Sequence, residues 1–109
     1  MAHDAQTVAL DFLTGEHQLT PDEAAQTLRV ARTVLGEGLA RLRRAVAEGD
    51  VPAVQELAHA LKGNLLNLGL ADLAAQAQEL EKSAQNSAVA DQERLADLLT
   101  RELAVFGDQ

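Results

Sequence analysis

The chain has 109 residues, 17 of them acidic and 9 basic, for a formal charge of −8. That length suits a single domain spanning residues 1–109, with one apolar core that needs no metal or disulfide staple. There is no cysteine and there are only two aromatic residues, both Phe. These facts exclude a disulfide framework and a thiolate metal site, and with no basic face or stacking platform they argue against a nucleic-acid binder.

Ala and Leu dominate the composition and only two prolines interrupt it. Few residues are of the types that favour strands, so the expectation is an all-α chain. No charged-then-apolar leader opens the sequence, and no apolar run approaches the roughly 18 residues of a membrane span. A soluble cytoplasmic protein with no membrane attachment is therefore expected.

Five helical segments follow in order. Ala5, Val8, Ala9, Phe12 and Leu13 keep the i, i+3, i+4, i+7, i+8 spacing of one short helix. "TGEHQLTPDE" then breaks the pattern. In it Thr20 is a candidate N-cap, Pro21 takes the first helical position and Glu23 completes a capping box. The second helix runs to about Glu48, with Ala24, Leu28, Ala31, Leu35, Leu42 and Ala45 on its inner side. Gly36 and Gly38 lie within it, and each costs about 1 kcal/mol relative to Ala, so a local weak point, a kink or a close helix contact is expected there. Arg41, Arg43 and Arg44 read as an exposed face pairing at i, i+4 with Glu37 or Glu48, with docking of an acidic partner as the lesser alternative.

Gly49 ends the second helix, and Asp50 caps the third, with Pro52 tolerated in its first turn. The third helix runs to about Leu68 and stops at Gly69, a candidate for the left-handed position. Leu73, Ala77, Leu80 and Ala84 mark a fourth helix. "SAQNSAVADQ" (83–92) reads as the last loop, and Leu95, Leu99, Leu103 and Phe106 mark a fifth helix. Short connections imply antiparallel neighbours. The expected architecture is an up-down-up-down four-helix bundle with a short N-terminal capping helix.

The third helix carries more than a core stripe. Val54, Leu57, Ala58, Leu61, Leu65 and Leu68 gather on one arc at roughly 100° per residue. With Val54 as origin, Lys62 falls at roughly 80°, Leu66 at roughly 120°, His59 at roughly 140° and Gly63 at roughly 180°. His59 thus points to solvent, with Lys62, Gly63 and Leu66 as its surface neighbours. An exposed glycine inside a helix loses stability without a packing return. It makes sense where something must approach His59 closely along the surface. Lys62 supplies a cation nearby, and an exposed Leu66 suggests an apolar docking surface. A lone surface histidine is ordinarily without chemistry; the combination is what singles this one out. His3 and His17 lack any paired-ligand spacing such as HExxH and read as solvated loop residues, so a metal-dependent hydrolase is rejected.

"HALKGNLLNLG", His59 to Gly69, resembles the H-x-L-K-G-x5-G signature of histidine-containing phosphotransfer domains, the intermediate carriers of two-component phosphorelays. "AEGDVPAVQELAH" is similar to the Gly-Asp turn that leads into their phosphorylated helix. "LADLAAQAQELEK" resembles the helix that follows, with its Leu-Glu pair at Leu80 and Glu81. The resemblance covers about residues 28 to 84.

It implies that His59 is the phosphoacceptor, Lys62 the cation beside the phosphoryl group, Gly63 the small residue that admits the partner and Gly69 the helix-ending glycine. Asn67 stands where the family often has Asn. Leu66 replaces a residue that is frequently small, and with Gln55 and Asn67 it joins Gly63 in the expected docking set. The implied partners are receiver domains of response regulators or hybrid histidine kinases. The implied reaction is attack of the imidazole, through Nε2, on a phosphoaspartate, followed by transfer to another receiver. Imidazole with its ordinary pKa of about 6.5 is a good neutral nucleophile near pH 7. Phosphoryl transfer is mostly positioning and electrostatics, so the expectation is a carrier with no cofactor and no kinase active site, Mg²⁺ sitting on the receiver. A monomer is expected. The chief alternative is a helical interaction or dimerisation module in which His59 is incidental; a chemotaxis-type kinase domain lacks support.

Overall fold

The longest helix begins where its capping box dictates. The Thr20 hydroxyl accepts from the Glu23 amide at 3.1 Å, and the Glu23 carboxylate accepts from the Thr20 amide at 2.9 Å. Two of the amide groups left unpaired at the helix start are satisfied in this way. In the computed structural model, which describes the backbone of residues 5–16, 18–85 and 89–107 and the side chains of 7–16, 18–85 and 90–103, five helices follow in order. They are α1 (Ala5–Gly15), α2 (Pro21–Glu48), α3 (Val51–Asn67), α4 (Ala71–Gln85) and α5 (Val89–Gly107). No strand occurs among the described residues. None of the helices is long and apolar enough to cross a membrane.

Gly49 and Asp50 alone connect α2 to α3, and each does separate work. Gly49 takes a left-handed φ of 69°, with its amide on the Val46 carbonyl and the next amide, that of Asp50, on the Ala45 carbonyl. This paired pattern closes α2. The Asp50 side chain then accepts from the Ala53 amide at 3.3 Å and opens α3. Gly69 repeats the device at the other end of α3, with φ of 72° and the Leu70 amide bonded to the Leu65 carbonyl at 3.0 Å. Leu70, buried just beyond the turn, supplies the apolar contact that accompanies this motif.

Packing is cyclic. α2 lies against α3 and α5, α4 lies against α3 and α5, and α1 packs on α2 and α5. The longest dimension is 43 Å, about the length of a 28-residue helix such as α2 at 1.5 Å per residue. The core is built almost wholly from Leu and Ala. Leu42, Val54, Leu65, Leu80 and Leu99 are its largest fully buried apolar side chains, and small Ala58, Ala77 and Ala84 sit among them. Phe12 of α1 packs against this core from outside the ring of four, over the turn between α3 and α4.

Two expectations need correction, and a third, that for Gly36 and Gly38, narrows. The stretch 83–92 is not one loop: α4 continues to Gln85 and α5 begins at Val89, which leaves 86–88 between them. The segment contains no Gly or Pro, and both Ala84 and Gln92 are buried, so core contact carries helix into it from either side. At Gly36 and Gly38 an added Cβ would meet nothing within 4 Å, and α2 runs through both without a break; neither glycine answers to a close helix contact. No ion pair links Arg41, Arg43 or Arg44 to Glu37 or Glu48; Arg43 instead reaches Asp97 of α5 at 3.6 Å, an exposed pair of little energetic weight. Ala31 and Leu57 are half-buried against the core. His3, His17 and the side chains of Ala5 and Phe106 lie outside the described residues.

Candidate functional site

The leucines of α3 other than Leu66 turn to the inside, which fixes what the other side of the helix shows. Val54, Ala58, Leu61, Leu65 and Leu68 are buried, and the His59 side chain is 66% exposed. The angular reading of this helix holds for His59, Gly63 and Leu66 on the outside and for these five inside. Gly63 is exposed, and a Cβ placed on it would find open space. Leu66 is 51% exposed, Asn67 is exposed, and Gln55, one turn before His59, is half-buried.

Lys62 is different. At roughly 80° it lies closer to the core arc than His59 does, and its side chain is only 25% exposed, in ion-pair range of Glu81 on α4. Glu81 joins two of the sequence-selected residues. One of its carboxylate oxygens, Oε2, is 3.3 Å from Nδ1 of His59; the other, Oε1, is 3.9 Å from Nζ of Lys62. The two ring nitrogens of an imidazole point in different directions. With Nδ1 turned to the carboxylate, Nε2 is directed away from it. A proton on Nδ1 then faces an acceptor, and Nε2 keeps its lone pair.

Around His59 the charges stand one turn before it, at exposed Glu56, and toward α4, at Lys62 and Glu81. Between His59 and Leu68 the one formally charged side chain is Lys62, and the exposed positions are Ala60, Gly63, Leu66 and Asn67. Across this strip stand Val30 and Val34 of α2, 58% and 45% exposed. A shallow groove between α2 and α3, lined by Val30, Ala31, Val34, Asn64 and Leu68, continues past Gly38, Leu57 and Ala60. With Leu66, the two valines make up the large apolar side chains that α2 and α3 expose, and all of them flank the His59 strip. Such clustering on an acidic surface is the kind of feature that accompanies interaction sites.

Sequence reasoning selected His59, Lys62, Gly63, Leu66 and Asn67, which share one exposed face or its edge. Gln55 lies on the α4 side of α3, and Gly69 lies at the end of the helix, away from the histidine. Gly69 proves doubly constrained: beyond its left-handed φ, a Cβ there would overlap the Phe12 ring. Val30 and Val34 were missed. Their signal was available, since Val30 sits roughly 130° and Val34 roughly 90° from the centre of the core arc of α2, and both so point outward. Glu81 was seen only as half of a Leu-Glu pair, because a contact across two helices has no trace in the periodicity of either.

A sequence model of the family described as Hpt domain matches residues 26–108. No match was found among curated proteins or among solved structures. The matched span takes in α3 whole, with His59, Lys62, Gly63 and Gly69, and the α4 helix that carries Glu81. The chain belongs to the Hpt domain family, phosphocarrier modules of two-component signalling that are not themselves kinases.

Proposed function

We propose that this chain is a phosphorelay intermediate that takes a phosphoryl group from one receiver domain onto His59 and delivers it to another. The observation that carries this reading is an exposed imidazole whose Nδ1 lies 3.3 Å from a carboxylate, on a partly apolar face. In the first step the Nε2 lone pair attacks the phosphorus of a phosphoaspartate. The N–P bond forms, the P–O bond to the aspartyl oxygen breaks, and the aspartate leaves as a carboxylate. The Nδ1 proton stays beside Glu81, which offsets the positive charge that develops on the ring. The return step onto a second receiver runs the same bonds in reverse. Mg²⁺ and the acidic groups that hold it belong to the receiver.

Gly63 and Ala60 leave the approach to His59 unobstructed, and Leu66, Val30 and Val34 give the receiver apolar surface on either side, with Asn67 and Gln55 at the margins. Residues 1–109 act as one unit, an up-down-up-down bundle of α2 to α5 capped by α1. Its short α2–α3 and α3–α4 connections and cyclic packing support that topology. The carrier works as a cytoplasmic monomer. A second reading, a dimerisation or interaction module without phosphotransfer, draws on the same exposed Val30, Val34 and Leu66.

The test is uptake from a phosphorylated receiver. Wild type should acquire an acid-labile, base-stable phosphate and His59→Gln none. Equal uptake by the two, or none by wild type, sinks the carrier; dimerisation by wild type without uptake favours the second reading.

A further inference from the structure

We infer that Gly38 of α2 keeps a notch open beside His59, and that the notch takes an apolar side chain of the docked receiver. This rests on the carrier reading of His59 and adds a residue that lies outside the H-x-L-K-G-x5-G run, on a different helix. The starting point is a loss of stability without a packing return. Gly36 and Gly38 stand in the middle of α2, where glycine weakens a helix relative to alanine. A Cβ added at either would meet nothing within 4 Å, so no neighbouring helix demands the missing side chain. Two residues apart is roughly 200° of turn, so the two glycines face opposite ways. Gly36 is exposed, whereas Gly38 is half-buried and lines the groove between α2 and α3.

The groove at Gly38 is walled by Val34 of α2 and by Leu57 and Leu61 of α3, and it encloses about 210 Å³, room for one large apolar side chain. Ala60, the residue after His59, also lines it, which puts the notch at the level of the histidine. The small residues around His59 therefore come from both helices, Ala60 and Gly63 from α3 and Gly38 from α2. Exposed Glu37 and Arg41 border the notch with opposite charges. Its edge thus favours neither sign, and the leucines and the valine decide for an apolar occupant.

The occupant follows from continuity. The notch shares Val34 and Asn64 with the stretch of groove beneath Val30, so a receiver seated over Val34 and His59 covers it as well. An apolar side chain of that receiver, entering beside Gly38, leaves water against Leu57 and Leu61. A larger residue at 38 would lie in the notch itself and take that place. Gly38 is thus a specificity residue, in contact with the partner and not with the reacting atoms.

The test compares Gly38→Leu with Gly36→Leu, two changes alike in helix propensity and opposite in direction. Both should melt no lower than wild type, since leucine favours helix over glycine and neither Cβ meets a neighbour. Transfer is followed from a phosphorylated receiver that wild type accepts, over a range of receiver concentrations. Gly38→Leu should raise the half-saturating concentration by about tenfold or more, the scale of losing a well-packed contact at an interface. Gly36→Leu should keep the wild-type value. Phosphoramidate, a small donor that phosphorylates imidazole directly and needs no docking, should load all three proteins equally.

Wild-type half-saturation in Gly38→Leu overturns the inference. So does a melting temperature below wild type in that variant, because the glycine then serves internal packing. A loss of phosphoramidate uptake in it does the same, by placing the residue in the chemistry. A wild-type dimer that Gly38→Leu abolishes, with transfer unchanged, gives the notch to a second copy of this chain and also overturns it. If no receiver loads wild type, the carrier reading itself fails and the notch loses its occupant.

Discussion

Gly49 and Gly69 close α2 and α3 in the same left-handed conformation, at φ of 69° and 72°, but only one of them has a neighbour. Alanine at either site takes on a left-handed backbone, at a cost of about 1–2 kcal/mol. At Gly49 the new Cβ finds open space, so that figure is the whole loss. At Gly69 it would overlap the Phe12 ring, and even the Phe12 Cβ lies 2.7 Å from the added atom, so the ring must leave. Full burial of a Phe side chain contributes about 1.5–3 kcal/mol, and Phe12 is half-buried, so its displacement adds about 1–1.5 kcal/mol. Gly69→Ala should therefore cost about 2–3.5 kcal/mol against about 1–2 for Gly49→Ala. For a domain of this size each kcal/mol lowers the melting temperature by about 4 °C or more.

Thermal and urea unfolding followed by circular dichroism at 222 nm read the difference. The decisive comparison is the cycle with Phe12→Ala, in which the extra loss at Gly69 should vanish and leave a coupling of about 1 kcal/mol. Equal losses at the two glycines would refute the reasoning. So would a Gly69→Ala loss that Phe12→Ala leaves unchanged, since α1 would then not be seated on the α3–α4 turn.

Gly63→Ala should raise stability by about 0.8–1 kcal/mol, the helix-propensity difference at an unobstructed position, measured by the same unfolding assay. Gly63→Leu should leave the fold intact and slow transfer from a receiver by about tenfold, which corresponds to about 1.4 kcal/mol of lost docking, with uptake from phosphoramidate unchanged. Val34→Asp places a carboxylate on the apolar margin of the docking strip; at about 1–3 kcal/mol for an uncompensated polar group it should weaken receiver binding by about tenfold to a hundredfold, read by calorimetry, with the melting temperature preserved. Leu65→Ala empties a fully buried position and should cost about 2–5 kcal/mol, enough to lower the melting temperature by at least 8 °C.

Most of the fold was legible because its signals are local. Thr20, Pro21 and Glu23 announce a helix start within four residues, and Gly49-Asp50 announces an end and a start together. On α3, periodicity assigned Leu61 and Leu65 to the core and His59, Gly63 and Leu66 to the surface, which is where the structure places them. The end of α4 and the start of α5 were less legible. Ala, Gln and Ser are permissive residues, and burial of Ala84 and Gln92 by other helices carries helix into that segment. The same limit hid the chemistry around the histidine. Lys62 and His59 share a helix face in sequence, but Glu81 comes from another helix and divides them: it faces Nδ1 of one and the ammonium of the other. The docking strip was half visible, through Leu66; Val30 and Val34 complete it only once α2 is laid beside α3.

The central claim is that His59 carries a phosphoryl group between receivers, and passage of label tests it most directly. A receiver bearing ³²P-phosphoaspartate is mixed with an unlabelled second receiver, with this protein or its His59→Gln variant present. The account predicts that label appears transiently on the wild-type protein and then on the second receiver, and that His59→Gln blocks both. Label that reaches the second receiver equally well with His59→Gln, or that accumulates on wild type at a residue other than His59, would contradict it.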